Sequence, residues 1–271
     1  MREQEIVKEF EKMGLQAAWT DVSKNGILHR GIIVASDGQV APIIYTAGLV
    51  DAWDSVDVAV RKIFREYQKV KAVSLDVERM TSREYILEHI TVAVQKNGIE
   101  DIVKRVSGFE GIEAYLVMMD GSLCRDGSMT MKVRADLLEQ RGISEAEAWM
   151  QAEKNLHDAV QIESMYEVMK RIAGDELVEA CGIDDAMYVI SNKSGVKGAS
   201  AVLDKEIMKA FAKEHCTKRI AVLPSSIHEM LLIPHADNWE ESELSSMVRE
   251  VNLTEVVPEE RLTDRVYFLE F

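Results

Sequence analysis

The sequence predicts an α+β protein whose mixed or antiparallel sheets are built from ββα-type units, with helices mainly on one face of each sheet. Three observations lead to this class. Asn25-Gly26 and Asp37-Gly38 separate β-rich runs, and such dipeptides readily take the positive φ angles of tight hairpins. Elsewhere, apolar residues recur three and four positions apart, as on one face of a helix. Residues 187–234 read as a strand, a tight turn, a second strand, an amphipathic helix and a third strand.

The first predicted elements are a helix, a three-stranded meander and a second helix. Apolar side chains between residues 6 and 13 have helical spacing, and Gly14 follows where a left-handed C-terminal cap is typical. The second helix has apolar positions i, i+3, i+4 and i+7 between Val60 and Tyr67, so it is expected to cover one face of the meander. The meander strands are predicted at residues 15–22, 27–35 and 40–45.

The middle of the chain predicts helices around one hairpin. Residues 81–84 have the spacing of a capping box, and the stripe Ile86, Ile90 and Val94 predicts a helix that ends near Asn97. A second, shorter helix is predicted to run to about Val106. Residues 114–157 then predict a strand, a glycine-containing loop, a second strand at 129–133, and a helix capped by Ser144.

The C-terminal part predicts a sheet with helices at residues 205–215 and 241–251 packed on one of its faces. Residues 165–172 predict a further helix, and residues 266–269 a final strand. Because residues 114–157 and 187–215 share a strand–strand–helix order, a degenerate ββα repeat is one hypothesis, and an unrelated origin is the other. The side chains expected to point into the helix-covered face are those of Ile207, Met208, Phe211, Leu244, Met247, Val248 and Val251, while Lys209 and Lys213 are expected in solvent.

Three regions follow from this pattern: residues 1–75, residues 76–180 and residues 181–271, with the last two able to pack as one domain. The chain has 271 residues, of which 47% are hydrophobic, so each region is long enough to bury a core.

The charge balance argues against direct binding to nucleic acid. Asp and Glu number 47 against 32 Lys and Arg, which gives a formal net charge of −15. Affinity for nucleic acid comes mainly from clustered basic side chains that displace counterions, so a protein partner is expected, and a basic one fits the charge. The first residues lack an apolar signal segment, the apolar runs are too short to span a bilayer, and the three cysteines show no paired spacing. Cytoplasmic residence without membrane contact is expected.

Ser226 and His228 are the only pair that suggests catalysis. Two apart on a predicted strand, their side chains would share one face, and a hydrolase would use Ser226 as nucleophile and His228 as base. That chemistry needs a nucleophile elbow and an orienting carboxylate, whereas Pro224 precedes the serines here. The competing interpretation is a Pro-Ser-Ser turn whose hydroxyls bond backbone groups, and it is favoured.

No other motif predicts a cofactor or a metal. His228-Glu229 begins like a zinc helix, yet Leu232 stands where the second histidine is needed. His235 and Asp237 lie close together but give two ligands only. Lys193-Ser194-Gly195 matches fragments of serine-enzyme motifs within a single turn, which indicates chance.

Several segments resemble an uncharacterised bacterial family, domain of unknown function five-six-eight-eight, which is common in gut Gram-positive bacteria and in their mobile elements. The segment AGLVDAWDS stands where that family has a tyrosine-rich stretch. The resemblance implies cytoplasmic residence and an accessory role, and it supplies no catalytic residues. The matching segments are KNGILHRGIIV with APIIY, ISEAEAWMQAEKNL, MYVISNKSGVKGASAVLD, LPSSIHEMLLIP and MVREVNLTEVVPEERLTDRVYFLEF.

Three functional hypotheses remain from the sequence. The first is a non-catalytic interaction or accessory protein linked to mobile elements. The second is an acidic inhibitor that mimics nucleic acid toward a host or defence protein. The third is a serine hydrolase-like enzyme that uses Ser226 and His228.

Overall fold

The protein has the predicted α+β fold, and the strands of its described residues form three antiparallel sheets. The structure is a computed structural model that describes residues 2–35, 41–71, 76–121, 129–174 and 186–271. The chain divides into two compact units, Met1–Thr81 and Ser82–Phe271. No helix in these described ranges is long and apolar enough to cross a membrane.

The first unit contains the predicted helix, meander and second helix. Asn25 and Gly26 both have positive φ, 49° and 81°, and they connect two strands whose register pairs Lys24 with Ile27. This is the predicted two-residue hairpin. The turn predicted at 37–38 lies outside the described residues. The elements are α1 (Arg2–Lys12), β1 (Gln16–Lys24), β2 (Ile27–Ala35), β3 (Ile43–Tyr45), α2 (Val56–Lys71) and α3 (Val77–Met80).

Both long helices of this unit cover the same face of the meander. Phe10 from α1 and Ile63 from α2 join one core with Ile32, Val34 and Ile44 from the sheet. The predicted packing of the second helix on the meander is confirmed, and α1 extends the cover.

The described residues of the second unit form two sheets. The second sheet has the strand order β4-β6-β5, with β7 pairing β6, and the third has the order β12-β10-β11-β9-β8. The strands are β4 (Ile90–Lys96), β5 (Lys104–Val106), β6 (Ile112–Asp120), β7 (Met129–Lys132), β8 (Val160–Ser164), β9 (Tyr188–Asn192), β10 (Arg219–Pro224), β11 (Met230–Pro234) and β12 (Tyr267–Glu270). The helices are α4 (Arg83–His89), α5 (Ala135–Gln140), α6 (Glu145–Ala159), α7 (Met165–Ala173), α8 (Lys205–Glu214) and α9 (Glu241–Thr254), with 3₁₀ turns at Gly198–Leu203 and Ala236–Asn238.

The prediction of a helix that runs as far as Asn97 is wrong beyond His89. The α4 helix begins after Ser82, whose hydroxyl accepts from the Tyr85 amide at 3.3 Å, so the cap lies one residue later than predicted. Strand β4 follows directly, and it pairs along its whole length with β6. The shorter helix predicted to end at Val106 is also wrong, because that segment is strand β5.

The prediction of a second strand after Gly195 is wrong as well. Residues 198–203 form a buried 3₁₀ helix, and strand β8, which the sequence pattern did not predict, takes the place beside β9. The two segments that suggested a ββα repeat therefore have different structures, and the duplication hypothesis is not supported.

Helices α8 and α9 lie on opposite faces of the third sheet, not on one face. Met208 and Phe211 of α8 pack with one set of alternating strand residues, including Val222. Leu244 and Val248 of α9 pack with the other set. Neighbouring residues of a strand point to opposite faces. The two helices contact alternate residues of the strands, so they lie on opposite faces of the sheet. Lys209 and Lys213 are exposed as predicted, and Ile207 is half-buried.

Candidate functional site

Ser226 and His228 lie in the loop between β10 and β11, so the prediction that they lie on a strand is wrong. The Ser226 hydroxyl accepts from the backbone amide of His228 at 3.0 Å. The Ser226 amide donates to the Glu229 carbonyl at 3.1 Å and closes the loop. These bonds are those of the Pro-Ser-Ser turn, which the sequence favoured over a catalytic pair.

The imidazole of His228 is held by groups other than Ser226. Its Nδ1 accepts from the Lys197 amide at 3.2 Å, so the proton of the neutral ring lies on Nε2. That Nε2 is 3.4 Å from a carboxylate oxygen of Glu260. Because both ring nitrogens are engaged, the ring is not placed to take the proton of the Ser226 hydroxyl.

Lys197 joins this loop to the second sheet. Its ammonium donates to the hydroxyl of Tyr115 at 3.1 Å, and Tyr115 is 1% exposed on β6. Burial raises the pKa of the Tyr115 phenol, which therefore stays protonated in neutral solution. His228, Lys197 and Tyr115 form a connection that holds the β10–β11 loop against its neighbours.

We predict that His228→Ala lowers the free energy of unfolding by about 1 kcal/mol, because the Lys197 amide loses its acceptor. Ser226→Ala is expected to cost about 0.5–1 kcal/mol for the same kind of reason. Urea unfolding, together with hydrolysis of p-nitrophenyl acetate, tests both variants. Ester hydrolysis by the wild type that either substitution abolishes, with the unfolding midpoint unchanged, would instead support the hydrolase hypothesis.

The remaining candidates from the sequence are placed as follows. Residues 193–195 lie in the turn after β9, where the Ser194 hydroxyl donates to the side-chain oxygen of Asn192 at 2.8 Å. Cys216 is a free, exposed thiol, while Cys124 and Cys181 lie outside the described residues. Within the described ranges, no three His, Cys, Asp or Glu side chains are grouped as metal ligands.

A cleft of about 970 Å³ opens between β5, α6, α8 and β12 in the second unit. Its floor consists of apolar side chains that are each at most 8% exposed. A volume of this order is typical of sites for small molecules. The floor residues are Val92, Phe109, Ala114, Leu156, Val202 and Met208.

A histidine–aspartate pair forms one wall of the cleft. The Asp204 carboxylate caps α8 by accepting from the amides of Glu206 and Ile207, both at 3.0 Å. Its other oxygen accepts from Nδ1 of His157 at 2.7 Å. This bond raises the pKa of His157. Its stabilising effect is therefore complete below the ordinary histidine pKa of 6.5 and is lost as the pH rises through the raised value.

The other charges of the cleft are partly paired. Arg105 bonds to Glu153 of α6, and its guanidinium lies 4.0 Å from the ring centre of Trp149. Glu270 pairs with Arg219 at 3.3 Å. In the described part of the chain no ion pair involves the other three charged groups, which are those of Lys205, Glu206 and Lys209.

Sequence reasoning missed the cleft. The pattern before α8 contains a cap signal, since Asp204 directly precedes a predicted amphipathic helix. No sequence signal connects Asp204 with His157, which is 47 residues away, or with Arg105. Of the six floor residues, Met208 alone was predicted to point into a core.

The second candidate site is the outward surface of α9 with its two ends, called the α9 surface below. Its apolar side chains are between 40% and 66% exposed, and five exposed glutamates surround them. Met247 and Val251 were predicted to be core residues, and that prediction is wrong. The α9 surface consists of Trp239, Met247, Val251, Leu253 and Val257 with Glu240, Glu241, Glu243, Glu250 and Glu255.

The fold and these surfaces define an α+β protein with antiparallel sheets and two candidate binding sites. The model of a family of unknown function, DUF5688, matches residues 3–270. The chain belongs to this family, which confirms the resemblance drawn from its segments. Neither a curated protein nor a solved structure matched the chain.

Proposed function

We propose that this protein is a non-catalytic interaction protein that binds a basic protein partner through the α9 surface. The observation that supports the proposal most is the combination of exposed apolar and acidic side chains on one helix. Inward-facing Leu244 and Val248 already anchor α9 to the third sheet, so its outward side chains are not needed for that packing.

The apolar part of the surface suits the centre of a protein interface. Met247 is 40% and Val251 44% exposed, and they lie one turn apart on α9. Trp239 is 40% exposed just before the helix. Tryptophan and methionine are enriched in interface centres, and a flexible methionine adapts to the shape of a partner.

The charge of the surface favours a basic partner. Between residues 239 and 257 the chain has five glutamates and one arginine, Arg249. Since the whole chain carries −15, its long-range field adds to the local one. Such a field speeds association with a cationic protein and weakens as salt rises.

We predict that Met247→Asp with Val251→Asp abolishes partner capture from a lysate of the native host. Burying two added carboxylates at an interface opposes binding, so recovery should fall by at least about tenfold. Mass spectrometry of the captured proteins measures the change, and high salt should weaken capture by the wild type.

Ile172→Asp on α7 is the matched control, because this residue is 74% exposed and receives the same charge elsewhere. Capture that the α9 substitutions leave unchanged, or that both variants lose equally, would contradict the assignment of the partner to the α9 surface.

A second candidate is an acidic inhibitor that mimics nucleic acid, and the net charge of −15 supports it. The two functions differ in whether nucleic acid competes with this protein for the partner. Mimicry requires that DNA or RNA displaces this protein from the partner and that the complex dissociates in high salt. Binding that salt weakens but that nucleic acid does not change excludes mimicry and leaves the general interaction role. We also propose that the interaction protein resides in the cytoplasm and is linked to mobile elements.

A further inference from the structure

We propose that the side chain of Trp53 anchors a second protein interface by inserting its indole ring into an apolar, uncharged pocket of a partner protein. Trp53 is 83% exposed, and it lies in a turn between β3 and α2 of the first unit. The α9 surface belongs to the second unit. The inference therefore does not depend on the proposed interaction through the α9 surface.

The described part of the first unit does not use the Trp53 side chain for its packing. Leu49 and Val50 before the turn and Val56 after it pack against the core of this unit, whereas Trp53 does not. A covered aromatic side chain of this kind buries about 150–250 Å², and leaving such apolar area in water is unfavourable. A partner that covers the ring removes this cost.

The turn that presents Trp53 is closed by hydrogen bonds at both of its ends. The Asp54 amide donates to the Asp51 carbonyl at 3.2 Å, and the Asp51 amide donates to a carboxylate oxygen of Asp54 at 2.9 Å. The guanidinium of Arg2 donates to the carbonyls of Asp51 and Ala52 at 3.0 and 2.9 Å. The backbone on either side of the indole ring is therefore fixed.

Lys62 of α2 holds the two acidic side chains of the turn. Its ammonium donates to carboxylate oxygens of Asp51 at 3.1 Å and of Asp54 at 2.9 Å. Because the turn is fixed before binding, little conformational freedom is lost when a partner covers Trp53, and this increases affinity. Tryptophan is among the residue types that contribute most binding energy at protein interfaces.

The charges of the turn indicate the kind of pocket that fits it. Two basic and two acidic side chains hold the turn, so their charges cancel. These are Arg2, Lys62, Asp51 and Asp54. A strongly charged pocket has no complement at this turn, in contrast to the acidic α9 surface. An apolar pocket with a neutral polar rim matches an indole ring that is surrounded by paired polar groups.

Photo-crosslinking in the native host identifies what contacts the turn. Benzoylphenylalanine, an aromatic photoreactive amino acid, at position 53 should cross-link to an apolar segment of one protein. The same amino acid at position 70 should not, because Val70 is 42% exposed near the other end of α2, about 20 Å from the start of this helix. High salt should change the yield from position 53 by less than about twofold, since the expected contact is apolar.

Variants test the anchor and the fixed turn separately, by isothermal titration of the full chain with the purified cross-linked protein. Trp53→Ala should weaken binding at least about thirtyfold, the loss typical of an interface hot spot, while Val70→Ala should not weaken it. Lys62→Met keeps the aliphatic length of the side chain but releases both carboxylates of the turn, and should weaken binding about tenfold. Lys69→Met is its matched control, because this lysine of the same helix pairs with Glu66. Thermal unfolding checks that each variant is folded.

The proposal is overturned if position 53 gives no cross-link, or if positions 53 and 70 give the same products. Binding that Trp53→Ala leaves unchanged, or that high salt abolishes, would contradict an apolar anchor. Equal effects of Lys62→Met and Lys69→Met would exclude a role for the fixed turn. Cross-links to a second copy, with a dimer in sedimentation that Trp53→Ala dissociates, would assign the ring to self-association. Co-sedimentation with phosphatidylcholine vesicles that Trp53→Ala abolishes would assign it to a membrane surface.

Discussion

Replacing Phe211 by alanine is expected to lower the free energy of unfolding of the second unit by about 3–5 kcal/mol. Phe211 is 4% exposed on α8 and belongs to the core of the third sheet. Its ring makes edge contacts with Tyr188, at 5.1 Å between ring centres, and packs on His215 at 4.3 Å. The substitution removes the apolar contact area and leaves a cavity that close-packed neighbours cannot fill.

Lys213→Ala, two residues further on the same helix, is the control for this prediction. Lys213 is exposed, so the change should alter the unfolding free energy by less than about 0.5 kcal/mol. Urea unfolding followed by circular dichroism measures both variants. Equal small effects of the two substitutions would mean that α8 does not pack on the third sheet as described.

Replacing Gly198 by alanine is expected to cost at least about 3 kcal/mol, the upper end of what overpacking usually costs. A Cβ atom at this position would lie 2.5 Å from the Asn192 amide nitrogen and 2.8 Å from the His228 carbonyl oxygen. Both are backbone atoms, so no side-chain rotation relieves the clash. The 3₁₀ helix and the β10–β11 loop would have to separate from β9.

Gly98→Ala is the matched control, since a Cβ there makes only ordinary contacts of 3.8 Å or more. Its effect on the thermal midpoint should be small. If Gly198→Ala melts with the wild type in the same scan, the close approach of residue 198 to β9 is not present in solution.

The sequence predicted elements best where local chemistry and tertiary packing agree. Asn25-Gly26 fixes a two-residue hairpin because both residues take positive φ. Ser144 caps α6 by accepting from the Glu147 amide at 3.2 Å, as its spacing predicted. In these cases a few adjacent residues contain the whole signal.

In strand β4 the apolar pattern is consistent with two secondary structures. Ile86, Ile90 and Val94 fit a helix, yet Ile90, Val92 and Val94 fit a strand equally well. Pairing with β6 decides between them, and that pairing depends on residues more than fifteen positions away. Because β4 is buried on both faces, it lacks the polar alternation that identifies a surface strand.

The faces of the third sheet were not predictable for a related reason. Strands β10 and β11 are apolar at nearly every position, so their sequence does not indicate which helix covers which face. Once α9 packs through Leu244 and Val248, Met247 and Val251 at the edge of the same apolar stripe remain 40% and 44% exposed. The helix was predicted correctly, while the width of its buried stripe was not.

The candidate sites depend on contacts that no local pattern reports. The cleft joins Arg105 on β5 with Glu270 on β12, and its floor residues look like any other core residues in the sequence. For Ser226 and His228, the Pro-Ser-Ser sequence predicted a turn, and the backbone contacts of the loop agree with it.

Photo-crosslinking in the native host tests the proposed interaction most directly. A photoreactive amino acid at position 251 of the α9 surface should give a cross-link to one basic protein, and the same amino acid at position 172 on α7 should not. Peptide mapping then shows whether the partner contributes a cationic segment. No cross-link from position 251, or the same products from both positions, would contradict the assignment of the α9 surface as a binding site.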